Sequence, residues 1–452
     1  MSEGVSEVGQ ARPGIRIIGG GLAGCEAAWQ IAAAGFDVEL FEMRPVRTTP
    51  AHQTDALAEL VCSNSFGSEA AGSASQLLKA EMTLLGSLVL GLAKEHRVPA
   101  GASLAVDRVL FSQAVTRAIE NHPRIHVTRA ECTELGQGIM VVASGPLTSE
   151  GLGKALASLV GSQSLYFYDA ISPIVSLESL DLTKMYFANR YDKGESSDFL
   201  NIPLSQSEYE TFVGDLLSGE MVLPHDFEEE KYFEGCMPVE AIAARGMQTL
   251  AFGPMKPVGL RDPRTGRRPH AVIQLRAENR HRTAYGLVGF QTKLKYGDQQ
   301  RVFRKLPGME NAEFLRLGSM HRNTYVDSPK VLSSTLALRQ HPQIFLAGQI
   351  TGTEGYLESV AMGLLAGLQV VARVSGRRLE APPPETMLGA LVQYVTDTTR
   401  ESFQPINANF GLLPPLWDAP PTKQSKEVRR ERLSERALLA VREYVAETSR
   451  SC

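Results

Sequence analysis

The stretch RIIGGGLAGCEAAWQIAAAG, residues 16–35, decides the fold of this chain. A short apolar segment runs into Gly19, Gly21 and Gly24, and an alanine-rich helical pattern follows until Gly35. In a Gly-x-Gly-x-x-Gly turn, the first glycine permits the tight turn, the second lets the backbone approach a pyrophosphate, and the third lets helix and strand pack closely. The helix N terminus then turns its partial positive charge towards the phosphates. This stretch therefore predicts a dinucleotide-binding unit.

The segments that follow complete the pattern of a Rossmann-like sheet. Asp37–Phe41 is predicted to form a second strand, and Glu42 at its end is placed to bind ribose hydroxyls. Ile125–Thr128 and Gly138–Ala143 have the pattern of further strands, and the second of these leads into a turn at Gly145. Strands that alternate with helices indicate an α/β fold with a parallel sheet.

A second glycine-rich turn, Gly348–Tyr356, follows the strand pattern Ile344–Ala347 and precedes a predicted helix. One such turn is enough for NAD, whereas a distant second strand–turn–helix unit closing on the same cofactor favours the longer FAD, with helix-terminal amides near its isoalloxazine ring. The alternative is a turn that only caps an unrelated helix. The residues predicted to bind the cofactor are Gly19, Gly20, Gly21, Leu22, Ala23, Gly24, Glu42, Arg44, Gly145, Gly348, Gln349, Gly352, Glu354, Gly355 and Tyr356.

The composition and pattern of the sequence change between the two glycine-rich turns. From about Leu180 charges cluster, aromatic residues become frequent and the strand–helix alternation fades, which indicates an inserted α+β domain that is mainly antiparallel. The predicted fold is a Rossmann-like FAD-binding domain with this insertion. Its predicted parts are a disordered leader at 1–14, a first FAD-binding part at 15–180, the insertion at 181–330, and a second FAD-binding part at 331–452 that ends in a helical tail near Lys423–Glu447.

Composition limits the class of protein. The 452 residues are 43% hydrophobic and 21% charged, which is typical of globular domains. No apolar run approaches the roughly 18 residues of a membrane-spanning helix, and the polar first 14 residues lack the apolar core of a signal peptide, so we expect a cytoplasmic protein. Five cysteines without a CxxC pair argue against disulfides and zinc, and no histidine has metal-ligand spacing, so no metal site is predicted.

Charge is unevenly distributed along the chain. Residues 251–330 carry 16 Lys and Arg against 6 Asp and Glu, whereas residues 176–235 carry 4 against 14. A basic block with interleaved aromatics such as Tyr285 and Phe290 indicates a surface for a folded RNA. The alternative is that the two blocks face each other as solvated ion pairs.

Two cysteines and two histidines stand out as candidate functional residues. Cys62 and Cys236 lie in polar, turn-rich surroundings, whereas Cys25 falls on a packing helix, Cys132 on a strand edge and Cys452 in the tail. Spacing alone leaves open whether either candidate thiol is catalytic or merely a small buried residue. His52 and His321 are expected to be hydrogen-bonded structural residues or ring-stacking partners.

At this point the motifs, taken in chain order, resemble a known family. The chain resembles the folate- and FAD-dependent tRNA (uracil-5-)-methyltransferases, a group of GidA-type flavoproteins, over nearly all of Ile15 to Arg373. Larger relatives that modify the wobble uridine share the glycine-rich segments. The segments that carry the likeness are Ile18–Gly24, Phe41–Pro45, Thr49–His52, Glu59–Ser65, Gly145–Ser149, Phe233–Pro238, Phe252–Gly259, Gly289–Thr292, Met320–Asn323 and Gly348–Glu358.

The resemblance implies methylation without S-adenosylmethionine. The carbon donor is then 5,10-methylenetetrahydrofolate, the target is C5 of uridine 54 in the tRNA T-loop, and FAD recharged by NAD(P)H supplies electrons. Cys62 and Cys236 match the two functional cysteines of the family. A thiolate that adds to uracil C6 makes C5 nucleophilic. We assign this role to Cys62 and place Cys236 near the flavin, although the two roles could be exchanged.

The resemblance also suggests substrate contacts. The pterin ring is expected to stack between the flavin and a histidine, either His52 or His321. The remaining residues predicted to contact substrate are Arg322, Arg276, Lys293 and Lys295. The sequence departs from the family pattern at Phe66-Gly67, where a basic residue next to the Cys62 segment is lost, and at Ser144, where threonine is expected.

The sequence is also compatible with three other functions. The first is a flavin oxidoreductase that acts on a small molecule. The second is a tRNA-binding flavoprotein that acts as a structural or chaperone factor. The third keeps the chemistry but modifies another uridine in tRNA or ribosomal RNA. Neither a membrane nor an obligate protein partner is expected.

Overall fold

The computed structural model describes residues 14–49, 51–136, 138–161, 165–192, 197–222, 232, 237–400, 403–416 and 425–450. The strands in these ranges are β1 (Ile15–Ile18), β2 (Val38–Phe41), β3 (Ser65–Ser68), β4 (Arg97–Val98), β5 (Ser103–Val106), β6 (Ile125–Thr128), β7 (Met140–Val142), β8 (Leu165–Ala170), β9 (Ile174–Ser176), β10 (Tyr186–Phe187), β11 (Leu200–Leu204), β12 (Ala271–Ala277), β13 (Ala284–Leu287), β14 (Phe314–Arg316), β15 (Met320–Tyr325) and β16 (Ile344–Leu346). The α-helices are α1 (Leu22–Ala33), α2 (Ala74–Leu84), α3 (Leu88–Glu95), α4 (Arg108–Glu120), α5 (Glu150–Val160), α6 (Gln206–Leu217), α7 (Val239–Ala243), α8 (Thr249–Phe252), α9 (Tyr296–Phe303), α10 (Ser328–Val331), α11 (Tyr356–Val374), α12 (Met387–Thr396) and α13 (Lys426–Arg450).

A parallel sheet with the strand order β16-β7-β1-β2-β6 forms the centre of the first domain. Ile18, the last residue of β1, pairs with Phe41 at the end of β2 and with Val142 at the end of β7. Leu346 ends β16 beside Val142. The carboxyl ends of these four strands therefore lie at one edge of the sheet, which is where ligands bind in open α/β sheets. The predicted Rossmann-like fold is confirmed.

Close contact between α1 and α11 holds the two glycine-rich turns together. A Cβ on Gly363 of α11 would lie 2.3 Å from the carbonyl oxygen of Ala23, and a Cβ on Gly348 would lie 2.8 Å from the Ala23 Cβ. Within the first turn, a Cβ on Gly24 would lie 1.8 Å from the carbonyl oxygen of Gly19. Because all three gaps are too short for a side chain, glycine at these positions sets the distance between the helices and the turns.

The helix α11 is a core helix of unusual length. Its 19 residues are long and apolar enough to cross a membrane, by length and composition only. Most of this helix is buried within the protein, with α1 on one side. The helix predicted to follow Gly348–Tyr356 is confirmed, but the expectation that no apolar run approaches the length of a membrane-spanning helix is wrong for this segment.

The inserted domain is built on a six-stranded antiparallel sheet with the order β10-β11-β12-β13-β9-β14. The predicted antiparallel α+β character is therefore confirmed. Its core contains fully buried aromatic rings at Tyr209 of α6, Tyr285 of β13, Phe290, and Phe303 of α9. The antiparallel pair of β8 and β15 forms a separate two-stranded sheet.

Hydrogen bonds from one buried amide link the first domain to the inserted sheet. Asn64 Nδ2 donates to the carbonyl oxygens of Val106, at 2.9 Å, and Ala277, at 3.0 Å. Arg108 and Glu278 form an ion pair across the same junction, with 2.6 Å between Nε and Oε2. The junction therefore fixes the segment that carries Cys62 against β12.

The C-terminal helix α13 confirms the predicted helical tail but is more than a surface helix. One stripe of this helix is buried, formed by Leu433, Ala437, Val441 and Tyr444. Their spacing of three or four residues places them on one face, which is how an amphipathic helix packs onto a domain. The predicted leader at 1–14 lies outside the described residues except for Gly14.

Glu81 of α2 holds the N terminus of α12. Its carboxylate accepts hydrogen bonds from the N–H groups of Met387, at 2.8 Å, and Leu388, at 2.9 Å. Burial raises the pKa of Glu81 from 4.5 to about 8, because the loss of solvent outweighs these two hydrogen bonds. The folded chain binds this proton more tightly than the unfolded chain does, so the protonated Glu81 carboxyl group favours the folded state. This contribution to the free energy of unfolding is complete below about pH 4.5 and is lost as the pH rises through 8.

We therefore expect Glu81→Gln to make the free energy of unfolding less dependent on pH. Relative to the variant, the wild type should lose stability between pH 5 and pH 8, on the order of 1 kcal/mol per pH unit. Urea unfolding at pH 5, 6.5 and 8 measures this difference. Glu95→Gln, at an exposed position of α3, is the matched control. A constant difference between wild type and Glu81→Gln across this range would contradict the assignment.

Candidate functional site

A pocket opens at the carboxyl ends of β1, β2, β7 and β16, and we call it the dinucleotide pocket. Most of the residues predicted to bind the cofactor line it, together with His52. These residues are Gly19, Gly21, Leu22, Ala23, Glu42, Arg44, Gly145, Gly348, Gln349 and Tyr356. Of the remaining predicted residues, Gly20 and Gly24 shape the first turn, a Cβ on Gly352 would press on the Phe403 ring, and Glu354 and Gly355 line the next cavity.

The carboxylate of Glu42 binds the backbone of the first glycine-rich turn. Its Oε2 accepts the N–H of Gly20 at 3.0 Å, and its Oε1 accepts the N–H and Nε of Arg44 at 3.0 and 2.9 Å. Burial opposes the charge, but the Arg44 guanidinium and the two N–H groups outweigh it and hold the pKa of Glu42 below its ordinary value. Glu42 is therefore an ionised residue that orders the turn, in addition to its predicted place beside a ribose.

Arg44 extends this network to Glu59, at the start of a segment that the sequence marks only through its likeness to the family. The Arg44 side chain is only 2% exposed, and its Nη1 lies 2.9 Å from Glu59 Oε2. Glu59 also accepts the N–H groups of Gln53, at 2.9 Å, and Thr54, at 3.1 Å. A carboxylate in a loop has no sequence signal of its own, so the role of Glu59 is visible only in the structure.

The ordered loop carries His52 into the dinucleotide pocket. Its Nδ1 lies 2.7 Å from Thr49 Oγ1. Burial, together with the nearby Arg44 and Arg316 guanidinium groups, lowers the pKa of His52 to about 4, against the opposing effect of the Glu59 and Glu42 carboxylates. The imidazole is therefore neutral near pH 7 and offers an uncharged ring face to a ligand.

The second candidate histidine lies on another element. His321 and Arg322 are in β15, where their backbones pair with Asp169 and Tyr168 of β8. Their side chains lie outside the described part of the chain.

Cys62 lies between two cavities. The first, which we call the Cys62–Tyr356 cavity, is also lined by Gln349, Glu354 and Gly355, and it shares Tyr356 and Gln349 with the dinucleotide pocket. The Cys62 N–H donates to the Tyr356 hydroxyl at 2.7 Å. Burial and the neighbouring Cys62 raise the pKa of Tyr356, so the phenol keeps its proton at neutral pH. The thiol segment is therefore attached to the first residue of α11.

The second cavity, which we call the Cys62–Arg276 cavity, opens on the side of the inserted domain. Arg108, Arg276 and Gln291 line it together with Cys62. Arg108 Nη2 donates to the Cys62 carbonyl oxygen at 2.9 Å, and Arg276 Nε donates to Asn64 Oδ1 at 2.9 Å. The sequence predicted Arg276 within the basic block, but it missed Arg108, which begins α4 far from that block.

The other basic candidates, Lys293 and Lys295, do not line these cavities. Lys293 is buried, and its Nζ donates to the Tyr232 hydroxyl at 3.1 Å. Lys295 is exposed and pairs with Glu220 at 2.8 Å. The predicted RNA contacts of both lysines remain predictions.

Part of the basic block is paired with the acidic block. Lys305 and Arg301 pair with Asp215 at 2.7 and 3.7 Å. Together with the pair formed by Lys295, these contacts show that the two blocks do meet, as the ion-pair alternative predicts for these members.

The remaining cysteines lie in different environments. Cys25 of α1 is fully buried, as predicted, and burial raises its pKa. The strand-edge prediction for Cys132 is wrong, because β6 ends at Thr128 and Cys132 follows in an irregular segment that lines the dinucleotide pocket. Cys236 and Cys452 lie outside the described residues.

Among the described residues, no group of three or more His, Cys, Asp or Glu is placed to hold a metal ion.

The described chain resumes beside the Cys62–Arg276 cavity after the segment that contains Cys236. The Val239 N–H donates to the carbonyl oxygen of Gln291 at 2.7 Å. Glu240 is buried, and it accepts hydrogen bonds from the Thr292 hydroxyl and from the Lys293 N–H. The start of α7 is therefore anchored to the wall of this cavity.

Comparison with known proteins identifies the family. The family model described as "Glucose inhibited division protein A" (GidA) matches residues 14–378. Two curated relatives are named "Methylenetetrahydrofolate--tRNA-(uracil-5-)-methyltransferase TrmFO". The one from Geobacter sulfurreducens is 55% identical and aligns over 96% of this chain and 99% of its own, and the one from Persephonella marina is 53% identical over 94% and 97%.

A solved structure supports the same fold. The Aquifex aeolicus GidA structure superposes with a TM-score of 0.68 at 16% identity, over 97% of this chain and 75% of that one. At this identity the likeness concerns the fold alone. The family model and the two relatives together show that this chain belongs to the GidA family of flavoproteins and, among its members, to the TrmFO family.

Proposed function

We propose that this protein is a methylenetetrahydrofolate-dependent tRNA methyltransferase that converts uridine 54 of the T-loop to 5-methyluridine. The names of relatives that are more than 50% identical over nearly the whole chain support the reaction class. The structural observation that carries the proposal is the position of Cys62, which lines both a cavity that shares Gln349 and Tyr356 with the dinucleotide pocket and a cavity lined by Arg108 and Arg276. This arrangement suits a thiol that must meet both a redox cofactor and a base on which negative charge develops during the reaction.

The residues of the dinucleotide pocket fit FAD. The helices α1 and α11 begin after Gly21 and Gly355, and neither helix has a side-chain cap, so their first N–H groups remain available to an anionic ligand. Leu22 and Tyr356, the first residues of these helices, both line the pocket. Bound FAD, recharged by NAD(P)H, would supply the electrons that reduce the transferred methylene group to methyl.

Cys62 is proposed to activate the uracil. Its thiolate forms a bond to C6, the C5–C6 π bond breaks, and the electron pair moves to an enolate that spans C5, C4 and O4. C5 is then nucleophilic towards the methylene group of the folate. We propose that Cys236 works in the same site, which is supported by the anchoring of Val239 to Gln291.

His52 is proposed to hold the pterin of the folate. Of the two candidate histidines, it is the one that lines the dinucleotide pocket. The neutral ring suits stacking on a flat heterocycle, which needs no charge. Thr49 Oγ1 and the loop held by Glu59 fix the orientation of the imidazole.

The decisive experiment is nucleoside analysis of the product. The purified protein is incubated with unmodified tRNA, labelled 5,10-methylenetetrahydrofolate and NADPH. We expect the label in 5-methyluridine at position 54 and none in tRNA that carries cytidine there. A small-molecule oxidoreductase would oxidise NADPH without labelling tRNA, and a chaperone would bind tRNA with strong salt dependence but leave it unmodified. Either outcome would overturn the proposal.

We expect Cys62→Ala and Cys236→Ala to reduce labelling by at least about a thousandfold, because each removes a proposed functional thiol. The FAD content, measured from the visible spectrum, should remain near that of the wild type, since the cofactor is held by the glycine turns. Cys452→Ser removes a thiol from the C terminus and should leave labelling unchanged. Substantial labelling by either alanine variant would show that its cysteine is not catalytic.

We expect His52→Phe and His52→Ala to differ in their KM for methylenetetrahydrofolate. Phenylalanine keeps a flat ring, so its KM should stay within about threefold of the wild type. Alanine loses the stacking surface, about 1 kcal/mol, and its KM should rise about fivefold to tenfold. Steady-state kinetics at saturating tRNA measure both values. If the two variants behave alike, the ring face of His52 does not bind the folate.

A further inference from the structure

The Cys62–Arg276 cavity contains a cation with unused hydrogen-bond donors. Arg276 extends from β12, and its Nε donates to Asn64 Oδ1 at 2.9 Å. Within the described part of the chain, neither Nη1 nor Nη2 of Arg276 has a hydrogen-bond or ion-pair partner. A largely buried guanidinium has five donors to satisfy, and leaving them unpaired is costly. The cavity therefore calls for a ligand with acceptor atoms.

The rest of the cavity wall disfavours an anionic ligand, because it already contains a carboxylate. Glu278, 7% exposed, lines the cavity beside Arg276, and its Oε2 is paired with Arg108 Nε at 2.6 Å. Ser172 and Gln291 add groups that both donate and accept. A carboxylate in the wall repels a phosphate, whereas a mixed set of donors and acceptors suits a neutral ring with carbonyl oxygens and an N–H group.

We propose that the Cys62–Arg276 cavity is the subsite that receives the target uracil base, and that Arg276 donates to its O4. This inference rests on the proposed function and names where the base binds and which residue reads it. The same geometry explains a preference for uridine, because cytosine presents an amino group at C4, where two sets of donors would face each other. The nucleotide must leave the T-loop stack to reach the cavity.

Arg276 then acts directly on the reacting atoms. When the Cys62 thiolate bonds to C6, the C5–C6 π electrons move into the enolate and negative charge develops on O4. A donor already aimed at this oxygen stabilises the charged state more than the neutral base, which accelerates the addition. C5 then bonds to the methylene carbon and loses its proton to solvent, and the bond between that carbon and the folate nitrogen breaks with its electron pair leaving on tetrahydrofolate. A hydride, which reduced FAD would supply, completes the methyl group while the S–C6 bond breaks and its electron pair returns to the sulfur. The base therefore ends with its C5–C6 double bond restored.

Asn64 preorganises the two partners. It lies two residues from Cys62, accepts from Arg276, and donates to the carbonyl oxygens of Val106 and Ala277. The nucleophile segment and the guanidinium thus belong to one hydrogen-bonded unit that spans the two domains. Such support keeps catalytic groups within the narrow tolerance that their chemistry requires.

The test compares Arg276→Gln and Arg276→Lys with the wild type in two assays. The first is steady-state methylation of tRNA. The second is formation of a covalent complex with a T-arm hairpin that carries 5-fluorouridine at position 54, without folate or NADPH, which follows the addition to C6 alone. Arg124→Gln removes an exposed charge far from the cavity and is the matched control. The visible spectrum and circular dichroism confirm that each variant keeps FAD and its fold.

We expect Arg276→Gln to slow covalent complex formation and kcat by about 100-fold to 1,000-fold, as the loss of one oxyanion donor does elsewhere. The KM for tRNA should change less than about threefold, because phosphate contacts dominate the affinity. Arg276→Lys should recover about tenfold of the rate, since it restores charge without the planar fork. Unchanged complex formation, or a raised KM with an unchanged rate, would overturn the assignment of the subsite.

Two further results separate the possible failures. A wild type that labels no tRNA would overturn the proposed function itself, whereas an active wild type with an equally active Arg276→Gln would overturn only the subsite. If Arg276→Gln loses FAD, Gln291→Leu replaces it, because this variant alters the same wall without touching the hydrogen bond to Asn64. Gln291→Leu should slow complex formation at least about tenfold, and an unchanged rate would count against the subsite.

Discussion

The close approach of α1 and α11 is the constraint on which the rest of the structure depends. No side chain fits between Gly363 and the Ala23 carbonyl oxygen, where a Cβ would lie at 2.3 Å, and the same alanine packs on Gly348. The two glycine-rich turns are more than 300 residues apart in sequence, yet this contact places them on one pocket. It also sets where α11 begins, and therefore where Tyr356 presents its hydroxyl to the backbone of Cys62. A packing requirement between two helices thus fixes the distance between the cofactor pocket and the thiol segment.

The sequence predicts those parts of the site whose chemistry is encoded in local spacing. The turn at Gly19–Gly24 and Glu42 is such a case, because strand, turn, helix and acid follow one another within a single unit. Glu59 and Arg108 could not be found in this way, since each gains its role from a residue distant in sequence, such as Glu278 for Arg108. The structure also adds a role for Glu42, whose carboxylate braces the turn and Arg44.

The charge blocks show why counting charges locates a region but not a site. Lys305 is exposed and is paired with an acid of the neighbouring block, and such surface pairs contribute little to stability or to recognition by themselves. Arg276 belongs to the same basic block, but its environment is different. Its strand carries it inward, burial lowers its pKa, and Asn64 orients it beside Cys62. In a count of charges along the sequence, Lys305 and Arg276 are equivalent. Their different solvent exposure and hydrogen-bond partners, which only the structure shows, distinguish the surface residue from the site residue.

The site therefore consists of two hydrogen-bonded units, and Tyr356 lines the pocket of the first while its hydroxyl binds the Cys62 segment of the second. One unit runs from Gly20 through Glu42, Arg44 and Glu59 to the loop of His52, so the glycine turn and the loop are ordered together. The other runs from Cys62 through Asn64 to Arg276 and ties the nucleophile segment to the inserted sheet. The buried charges in the first unit are paired with one another, which suits a site for a tightly bound cofactor. The Arg276 guanidinium of the second unit still has N–H groups without a partner among the described residues. A reaction that moves negative charge onto its substrate needs such donors on the substrate side, because donors already satisfied by the protein could not respond to the charge as it develops.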